Sequence, residues 1–384
     1  MIANHIARSV GPLVQQRINH LGVGQKMQDL PEELWHKSFR YYVKEDSTRK
    51  GGPNLRILRL DPDKPSPTVT GYVFNKFVHP VEDRFITVRE AARLQGFPDD
   101  LPFVGTLTST QLQVGNAVPV PLAEAVFETI LDAARRQGIT KPLQGLSLFS
   151  GAGGMDIGAE RASSRELTIQ TKIAVDTWQD ACKTLQHHYG GKARVVNEDI
   201  TAINDPLRFW NEVSNTSELP DIIYGGPPCQ SFSQAGKQKG NLDDRGQLVS
   251  EFLRFVHALN PPYFLMENVA NLRGVGGGAL YTQILEQMDG LGYNVTVDIL
   301  LAAEFGAPQL RNRLLFLGCR KDIGTLPLPT PSYHVNGTLF EKPFVTVSQA
   351  FDQLPNARFS TANKEKVQNA ASVTASPLFS IPAS

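Results

Sequence analysis

The 384-residue chain is long enough to bury a sizeable hydrophobic core, and its length predicts two domains. Hydrophobic residues make up 41% and charged residues 20%, as in an ordinary globular protein, and the zero net charge gives no global sign of a nucleic-acid partner. No apolar run reaches about eighteen residues, and the start "MIANHIARSV" lacks the apolar stretch of a secretory signal. We therefore expect a cytoplasmic protein without a membrane span.

Charge is unevenly distributed at the start of the chain. Residues 1–59 contain ten Lys or Arg against five Asp or Glu. This excess permits a surface that faces phosphates. A solvated basic face explains the charge equally well, so the pattern alone leaves both interpretations open.

Two helix starts come next along the chain. "TVRE" predicts a capping box, with Thr87 at the N-cap and Glu90 at N3. Pro119 and Pro121 predict the start of a second helix, which we expect to pack on a large sheet. The apolar stripe of this helix consists of Leu122, Ala125, Val126, Ile130 and Leu131.

From residue 146 onward, short apolar runs alternate with helical patterns. The strands are predicted near 146–150, 171–176, 194–197, 221–224, 263–266, 295–301 and 313–317. The helices are predicted near 178–188, 246–259 and 279–291. This alternation favours an α/β fold with a parallel, doubly wound sheet. Ligands of such sheets bind outside the carboxyl ends of the strands, so the residues that follow each strand are the candidates for function.

The first strand leads into the glycine loop "LFSGAGGMDIG". Gly151, Gly153 and Gly154 allow a tight turn and a close approach of a ligand to the backbone. The loop is not a dinucleotide fingerprint, because Asp156 stands where a third glycine of that pattern is required. A purely structural turn remains an alternative for this loop.

The next two strands end in carboxylates. Asp176 lies about twenty residues beyond the glycine loop, where it can accept hydrogen bonds from ribose hydroxyls, and Trp178 can stack on a base. Asp199 follows the third strand and is placed to accept from an exocyclic amine. Together these features predict an adenosine pocket. The chain lacks the GxxxxGK[ST] loop, so a nucleoside cofactor is favoured over a nucleoside triphosphate.

The later strands deliver the reactive groups. Cys229 follows the fourth strand in "GGPPCQSFSQAGKQKG", and Glu267 and Asn268 follow the fifth. Arg311 and Arg313 are predicted on one face of a strand, two residues apart. A thiol, a carboxylate and guanidinium groups at strand ends are suited to covalent catalysis on a polar planar ring.

The remaining cysteines have a structural interpretation. Cys182 lies in a helical pattern and Cys319 just after a strand, so both are predicted to be packing residues. The three cysteines form no disulfide framework and no metal-ligand spacing, so we expect a reducing compartment and no metal site.

Several of these segments resemble the core motifs of one family, the DNA (cytosine-5) methyltransferases. They are "LFSGAGGMDIGAE", "GGPPCQSFSQAGKQKGNLDDRGQL", "ENVANL" and "QLRNRLLFLG". The last motifs of that family are resembled by "RLDPDKPSPTVTG", "FVHPVEDRFITVREAARLQGFPDD" and "QVGNAVPVPLAEAV". The resemblance covers well over half the chain. It implies a Rossmann-like methyltransferase sheet that uses S-adenosylmethionine, with a second, smaller DNA-recognition domain.

The order of the motifs departs from the family. The segments at 59–126 usually close the protein, whereas here they precede the glycine loop, so the chain is interpreted as circularly permuted. We predict a catalytic domain over 113–325 and a discontinuous target-recognition domain made of 1–112 and 326–384.

The resemblance implies a role for each motif residue. Cys229 is expected to be the nucleophile that adds to C6 of cytosine, and Glu267 to contact ring nitrogen N3 and assist its protonation. Arg311 is expected to hold the base and its phosphate, and Arg313 is expected as a further catalytic residue. The expected contacts to S-adenosylmethionine are Phe149, Ser150, Gly151, Gly153, Gly154, Asp176, Trp178, Asp199, Ile200, Pro227, Leu248, Asn116 and Val118. The expected contacts to DNA are Ser231, Gln234, Lys237, Lys239 and Arg245.

The resemblance leaves three functions open. The first is a monomeric enzyme that methylates double-stranded DNA, within a bacterial restriction–modification system whose endonuclease is a separate protein. The second is a tRNA methyltransferase on the same scaffold, which the sequence "QSFSQAGKQKG" after the cysteine disfavours. The third is a DNA- or cofactor-binding module without activity, which the presence of Cys229, Glu267, Arg311 and Arg313 argues against.

Overall fold

The computed structural model describes residues 2–45, 57–163, 167–228 and 242–359, without the side chains of 242–245. The chain divides into two compact units. The first contains the described residues up to Asn116, the segment Gly306–Arg311 and the described residues from Tyr333 to Phe359. The second contains Ala117–Phe305 and Asn312–Ser332. The assignment of a separate function to each part of the chain stays a prediction.

The second unit is built on a seven-stranded sheet. Its strands are β1 (Leu143–Leu148), β2 (Ile169–Asp176), β3 (Arg194–Asn197), β4 (Ile222–Gly225), β5 (Tyr263–Val269), β6 (Tyr293–Leu301) and β7 (Asn312–Arg320). Their order across the sheet is β6-β7-β5-β4-β1-β2-β3, and β1 to β5 pair in parallel. The carboxyl ends of β1, β2, β4 and β5 therefore share one edge of the sheet, as predicted.

Helices cover both faces of this sheet, in keeping with an α/β fold. They span Val120–Arg136, Gly154–Ala162, Gln179–Tyr189, Pro206–Val213, Leu242–Leu259 and Ala279–Gly290, and 3-10 turns span Ile200–Ala202, Ala270–Gly278 and Ala302–Phe305. The helix predicted after Pro119 is confirmed. Its Leu122, Val126 and Ile130 are fully buried, and Phe127 contacts the ring of Tyr224 on β4 edge-on. Ala125, predicted in the same stripe, is only half-buried.

The predicted parallel sheet is wrong at one strand. β7 runs antiparallel to both β5 and β6. A parallel neighbour requires a crossover of about a dozen residues or more, usually a helix. Only residues 302–311 separate β6 from β7, so the chain returns in the opposite direction.

The first unit contains short elements only. Its helices span Pro12–His20, Lys37–Lys44, Val88–Leu94, Leu107–Asn116 and Val347–Phe351, with 3-10 turns at Met27–Asp29, Glu32–Leu34 and Val73–Asn75. Its strands form two-residue pairs: Ile6–Ala7 with Arg358–Phe359, Leu58–Arg59 with Phe77–Val78, Ser66–Pro67 with Gln309–Leu310, and Tyr333–His334 with Lys342–Pro343. Its core is a cluster of Ile18, Leu21, Met27, Leu30, Leu34, Phe39, Ile57, Val78 and Phe85.

Buried arginines supply hydrogen bonds that such short strands cannot. The guanidinium of Arg59 donates to the carbonyls of Leu21, Ile18, His79 and Glu82 and to the carboxylate of Asp83. The predicted capping box is confirmed, because Thr87 Oγ1 accepts from the Glu90 amide and Glu90 accepts from the Thr87 amide. Buried backbone groups in this unit are thus satisfied by side chains.

Residues near the two ends of the described chain lie side by side in this unit. Asn4 exchanges hydrogen bonds of 2.9 and 2.8 Å with the backbone of Phe103. The ring of His5 bonds the carbonyl of Pro355 at 2.7 Å and the hydroxyl of Thr87 at 2.9 Å. Ile6–Ala7 then pairs in parallel with Arg358–Phe359.

No single helix among the described residues is long and apolar enough to cross a membrane. The bent pair Leu107–Asn116 and Val120–Arg136 reaches that length and apolar composition only when both helices are taken together.

Candidate active site

The glycine loop turns sharply out of β1. Phe149 and Gly151 have φ angles of 52° and 54°, and Gly153 has a φ of 85°. A positive φ is strained at Phe149, since it carries a Cβ, and strain of this kind persists only where the surroundings hold it. Ser150 supplies that support, because its amide donates to the Val175 carbonyl at 3.1 Å and its own carbonyl accepts from Gly153. The loop is therefore a fixed feature that leads into the helix Gly154–Ala162.

Two glycines of the loop differ in how much space surrounds them. A Cβ on Gly154 would lie 2.3 Å from the carbonyl oxygen of Val118, so only glycine allows this close packing. A Cβ on Gly151 would meet no atom within 4 Å. The backbone at Gly151 thus borders open space, which leaves room for a ligand against the loop.

Asp176 ties the loop to the end of β2. One carboxylate oxygen accepts from the amide of Gly151 and the other from the amide of Trp178, both at 2.8 Å. Burial raises the pKa of Asp176, and the two amide groups offset part of this rise. Each carboxylate oxygen has two lone pairs, so Asp176 can still accept from a ligand hydroxyl.

The other residues predicted to contact the cofactor differ in how deeply they are buried and in which element they belong to. Asp199 is exposed and caps the turn Ile200–Ala202, where one oxygen accepts from the amide and hydroxyl of Thr201. The side chain of Ile200 is buried in the core, so only its backbone remains for a ligand. Leu248 is half-buried on the helix Leu242–Leu259, Asn116 ends a helix of the first unit, and Trp178 is half-buried at a helix start. Their contacts to a cofactor stay predictions.

The segment that precedes Cys229 is packed against β5. Asn268, which is 3% exposed, donates from Nδ2 to the carbonyl of Pro227 at 3.0 Å. A Cβ on Gly226 would lie 2.8 Å from Oε2 of Glu267. The carboxylate of Glu267 therefore lies close to the backbone of Gly226, and the two residues of β5 hold the backbone at Gly226 and Pro227.

Glu267 forms a buried ion pair with Arg313 on the neighbouring strand. Nε of Arg313 lies 2.5 Å from Oε1 of Glu267, and both side chains are about nine-tenths buried. Burial raises the pKa of Glu267, and the guanidinium offsets part of the rise. A carboxyl group with a raised pKa at the edge of a sheet is suited to donate a proton to a ligand.

Arg311 lies elsewhere, and the prediction that one strand carries both arginines is wrong. β7 begins at Asn312, and Arg311 belongs to the first unit. Its side chain is 1% exposed, and its guanidinium donates to the carbonyls of Val69 and Gly115. The chain leaves the strand direction here because Gln309–Leu310 pairs with Ser66–Pro67. The geometry favours Arg313 over Arg311 as the partner of Glu267.

The remaining predicted site residues lie outside the described part of the chain. They are Cys229, Ser231, Gln234, Lys237 and Lys239, together with the side chain of Arg245. The two other cysteines are buried as predicted, and burial raises the pKa of Cys182 to about 12 and that of Cys319 to about 11. Neither is a thiolate near neutral pH, which leaves Cys229 as the candidate nucleophile.

Sequence reasoning missed the contact between Gly226 and Glu267. The only signal was the pair of glycines before two prolines, because such a pair indicates a close approach by another group. Gly226→Ala is expected to displace Glu267 and to lower the turnover rate of the reaction at this site by about 100-fold, as displacements of about 1 Å do. Gly274→Ala is the matched control, because a Cβ there meets nothing within 4 Å. Equal rates for the two variants would contradict the importance of this contact.

The molecule thus presents an open α/β sheet with a glycine loop and a buried acid–arginine pair at one edge. Residues 13–132 and 143–376 match the family model described as C-5 cytosine-specific DNA methylase. Because this match covers most of the sequence, the chain belongs to the C-5 cytosine-specific DNA methylase family. The family and the fold imply the use of S-adenosylmethionine.

The similar proteins are Type II methyltransferases. The chain is 39% identical to M1.HphI of Haemophilus parahaemolyticus, over 49% of this chain and 48% of that protein. It is 38% identical to M.NgoFVII of Neisseria gonorrhoeae, over 55% and 53%. It is 36% identical to M.AquIA of Picosynechococcus sp., over 58% of this chain and 97% of that protein. The chain spans about half the length of the first two relatives.

Proposed function

We propose that this chain is a DNA (cytosine-5-)-methyltransferase that transfers a methyl group from S-adenosylmethionine to C5 of a cytosine in double-stranded DNA, through a covalent adduct with Cys229. The observation that carries the proposal is the buried pair of Glu267 and Arg313, packed on Gly226 three residues before Cys229. This arrangement supports a nucleophile, a proton donor and a fixed cation in one corner of the sheet.

The reaction begins with the thiolate of Cys229, which forms a bond to C6 of the cytosine ring. Glu267 contacts N3 and donates a proton there, so that the electron pair displaced from the C5–C6 double bond is accommodated in the ring. Arg313 holds the base and keeps Glu267 in place. Asn268 positions the nucleophile by holding the Pro227 carbonyl.

When bound, S-adenosylmethionine would supply the electrophilic methyl group that C5 accepts, and the electrons of the broken S–CH3 bond would stay on its sulfur as a neutral thioether. The residues that would hold it are the strained loop at Phe149 and Gly151 and the carboxylate of Asp176, which accepts from the Gly151 amide. The open space next to Gly151 leaves room for it. A base then removes the C5 proton, and the electrons of that bond restore the double bond as the thiolate leaves. The proton on N3 returns to the carboxylate of Glu267, which restores the starting state.

The target base has to leave the duplex before Cys229 can reach it. Flipping a base costs a few kcal/mol. Contacts of Lys237, Lys239 and Arg245 with phosphates, and of Ser231 and Gln234 with the target strand, offset this cost. The names of the relatives support a restriction–modification context, in which a separate endonuclease cuts unmethylated DNA. A monomer in the cytoplasm fits this role.

The experiment that tests the function is transfer of labelled methyl from S-adenosylmethionine to genomic DNA and, in parallel, to tRNA. Label in DNA, with bisulfite sequencing that finds one recurrent cytosine context, is the expected result. Label confined to tRNA would replace the proposal with the tRNA enzyme. Cofactor binding without label in either nucleic acid would favour the binding module.

Asp176→Asn is expected to weaken the binding of S-adenosylmethionine by about 10- to 100-fold, because charge-assisted hydrogen bonds are lost. Since the pKa of Asp176 is raised and the ionised form accepts from the cofactor, the affinity of the wild-type protein should fall as the pH is lowered through that pKa. The variant should lack this pH dependence. Calorimetric titration between pH 4.5 and 8 measures both effects, and the same pH profile in the variant would contradict the role of Asp176.

A further inference from the structure

A buried polar network lies beneath the glycine loop, and none of the predicted roles uses it. Its centre is Asp156, which is 2% exposed on the helix Gly154–Ala162. The hydroxyls of Tyr189 and Tyr224 donate to its Oδ1 at 2.6 and 3.1 Å. The hydroxyl of Tyr224 also lies 2.6 Å from Oγ1 of Thr171 on β2.

The second carboxylate oxygen of Asp156 is the unusual atom. Oδ2 is buried and has no hydrogen bond of normal geometry among the described residues. Burial raises the pKa of Asp156, and the hydroxyls of Tyr189, Ser147 and Tyr224 offset part of the rise. An unsatisfied buried carboxylate oxygen is costly, so a nearby donor is favoured to turn toward it.

Ser147 connects this network to the glycine loop. It pairs with Tyr224 across β1 and β4, so its side chain lies on the same face of the sheet as the tyrosine that donates to Asp156. Ser147 is 1% exposed on β1, and its Oγ lies 2.8 Å from Oγ of Ser150. Ser150 lies between Phe149 and Gly151, which both have positive φ angles. A hydroxyl has one proton to donate, so the direction of the Ser147 hydroxyl decides what the Ser150 hydroxyl can donate to.

We propose that Asp156, held by Tyr189 and Tyr224, is a positioning residue that orients the Ser147 hydroxyl and through it the Ser150 turn of the cofactor-binding loop. The inference rests on the proposed function, because it takes the loop to be the site of S-adenosylmethionine. The network acts on the affinity for the cofactor and leaves the chemical step to Cys229, Glu267 and Arg313.

The test is a double-mutant cycle on the full chain, with S-adenosylmethionine affinity as the readout. Tyr224→Phe and Ser147→Ala are each expected to weaken binding by about 3- to 10-fold, the effect of one hydrogen bond. Because both act through one network, the double variant should weaken binding no more than the larger single change. The kcat of each variant at saturating cofactor should stay within about twofold of the wild-type value. Tyr189→Phe is a further variant whose affinity for S-adenosylmethionine should fall by a similar factor.

Tyr293→Phe is the matched control. Its hydroxyl is buried on β6 and donates to the Pro261 carbonyl at 2.6 Å, so the variant loses a comparable hydrogen bond without touching the network. The inference is supported if Tyr293→Phe binds S-adenosylmethionine as tightly as the wild-type protein while its Tm falls about as far as that of Tyr224→Phe. Equal losses of affinity in Tyr293→Phe and Tyr224→Phe would overturn it, as would additive effects in the cycle. A wild-type protein that binds no S-adenosylmethionine would overturn the proposed function as well.

Discussion

Replacement of Cys229 by alanine is expected to lower the rate of methyl transfer by about 10⁴-fold or more, because the covalent step loses its nucleophile. Binding of S-adenosylmethionine should be retained, since the glycine loop and Asp176 belong to other strand ends. Single-turnover transfer to cognate DNA measures the first effect, and calorimetric titration of the cofactor measures the second.

A denaturing gel with DNA that contains 5-fluorocytosine gives an independent readout. The wild-type protein should form a stable adduct, and Cys229→Ser should form none. A covalent complex with the serine variant would show that another residue is the nucleophile. Cys319→Ala is the control, because the thiol of Cys319 is buried on β7 and should not take part in transfer.

Arg313→Ala is expected to lower the free energy of unfolding by about 3–5 kcal/mol and to abolish methyl transfer. Removal of the guanidinium leaves the carboxylate of Glu267 buried without its partner, and such unpaired charges are strongly destabilising. The pKa of Glu267 should rise further in the variant. Its stability should therefore improve as the pH is lowered and Glu267 takes up a proton. Urea unfolding at several pH values measures this directly.

Two further variants separate stability from chemistry. In Glu267→Leu/Arg313→Met both partners are replaced by apolar side chains, so much of the stability should return while methyl transfer stays absent. Arg273→Ala removes one partner of an exposed pair with Asp298, whose effect on unfolding should stay below about 1 kcal/mol. If Arg313→Ala were no more destabilising than Arg273→Ala, the buried pair would not have the importance assigned to it.

The parallel part of the sheet could be predicted from sequence because each of its strands is a short apolar run that ends in a recognisable residue. Asp176 closes β2 as expected, whereas Glu267 and Asn268, which were expected after the fifth strand, lie within β5 because that strand continues to Val269. The direction of β7 could not be predicted in the same way, because strand patterns are alike in both directions. Only the length of the connection 302–311 contained that information.

The roles of the two arginines could not be separated by spacing alone. Arg311 and Arg313 are two residues apart, which predicts one face of a strand, but the strand starts between them. Arg311 lies before the strand and Arg313 within it because Gln309–Leu310 pairs with Ser66–Pro67, a segment more than 200 residues earlier in the chain. Long-range pairing of this kind leaves no local pattern. The same holds for the contact between Gly226 and Glu267.

The contact of His5 with Pro355, 350 residues later, also bears on how the protein is made. At roughly 5–20 residues per second, a ribosome needs roughly 20–70 s to pass from one to the other. The whole of the sheet, from Leu143 to Arg320, emerges within that interval and can fold as a unit. During the same time, the segment Ile6–Ala7 cannot form its strand pairing, because Arg358–Phe359 has not yet been synthesised. The nascent chain therefore completes the unit that contains Glu267 and Arg313 before it closes the other unit, so modification of DNA should start only after Arg358–Phe359 has been synthesised.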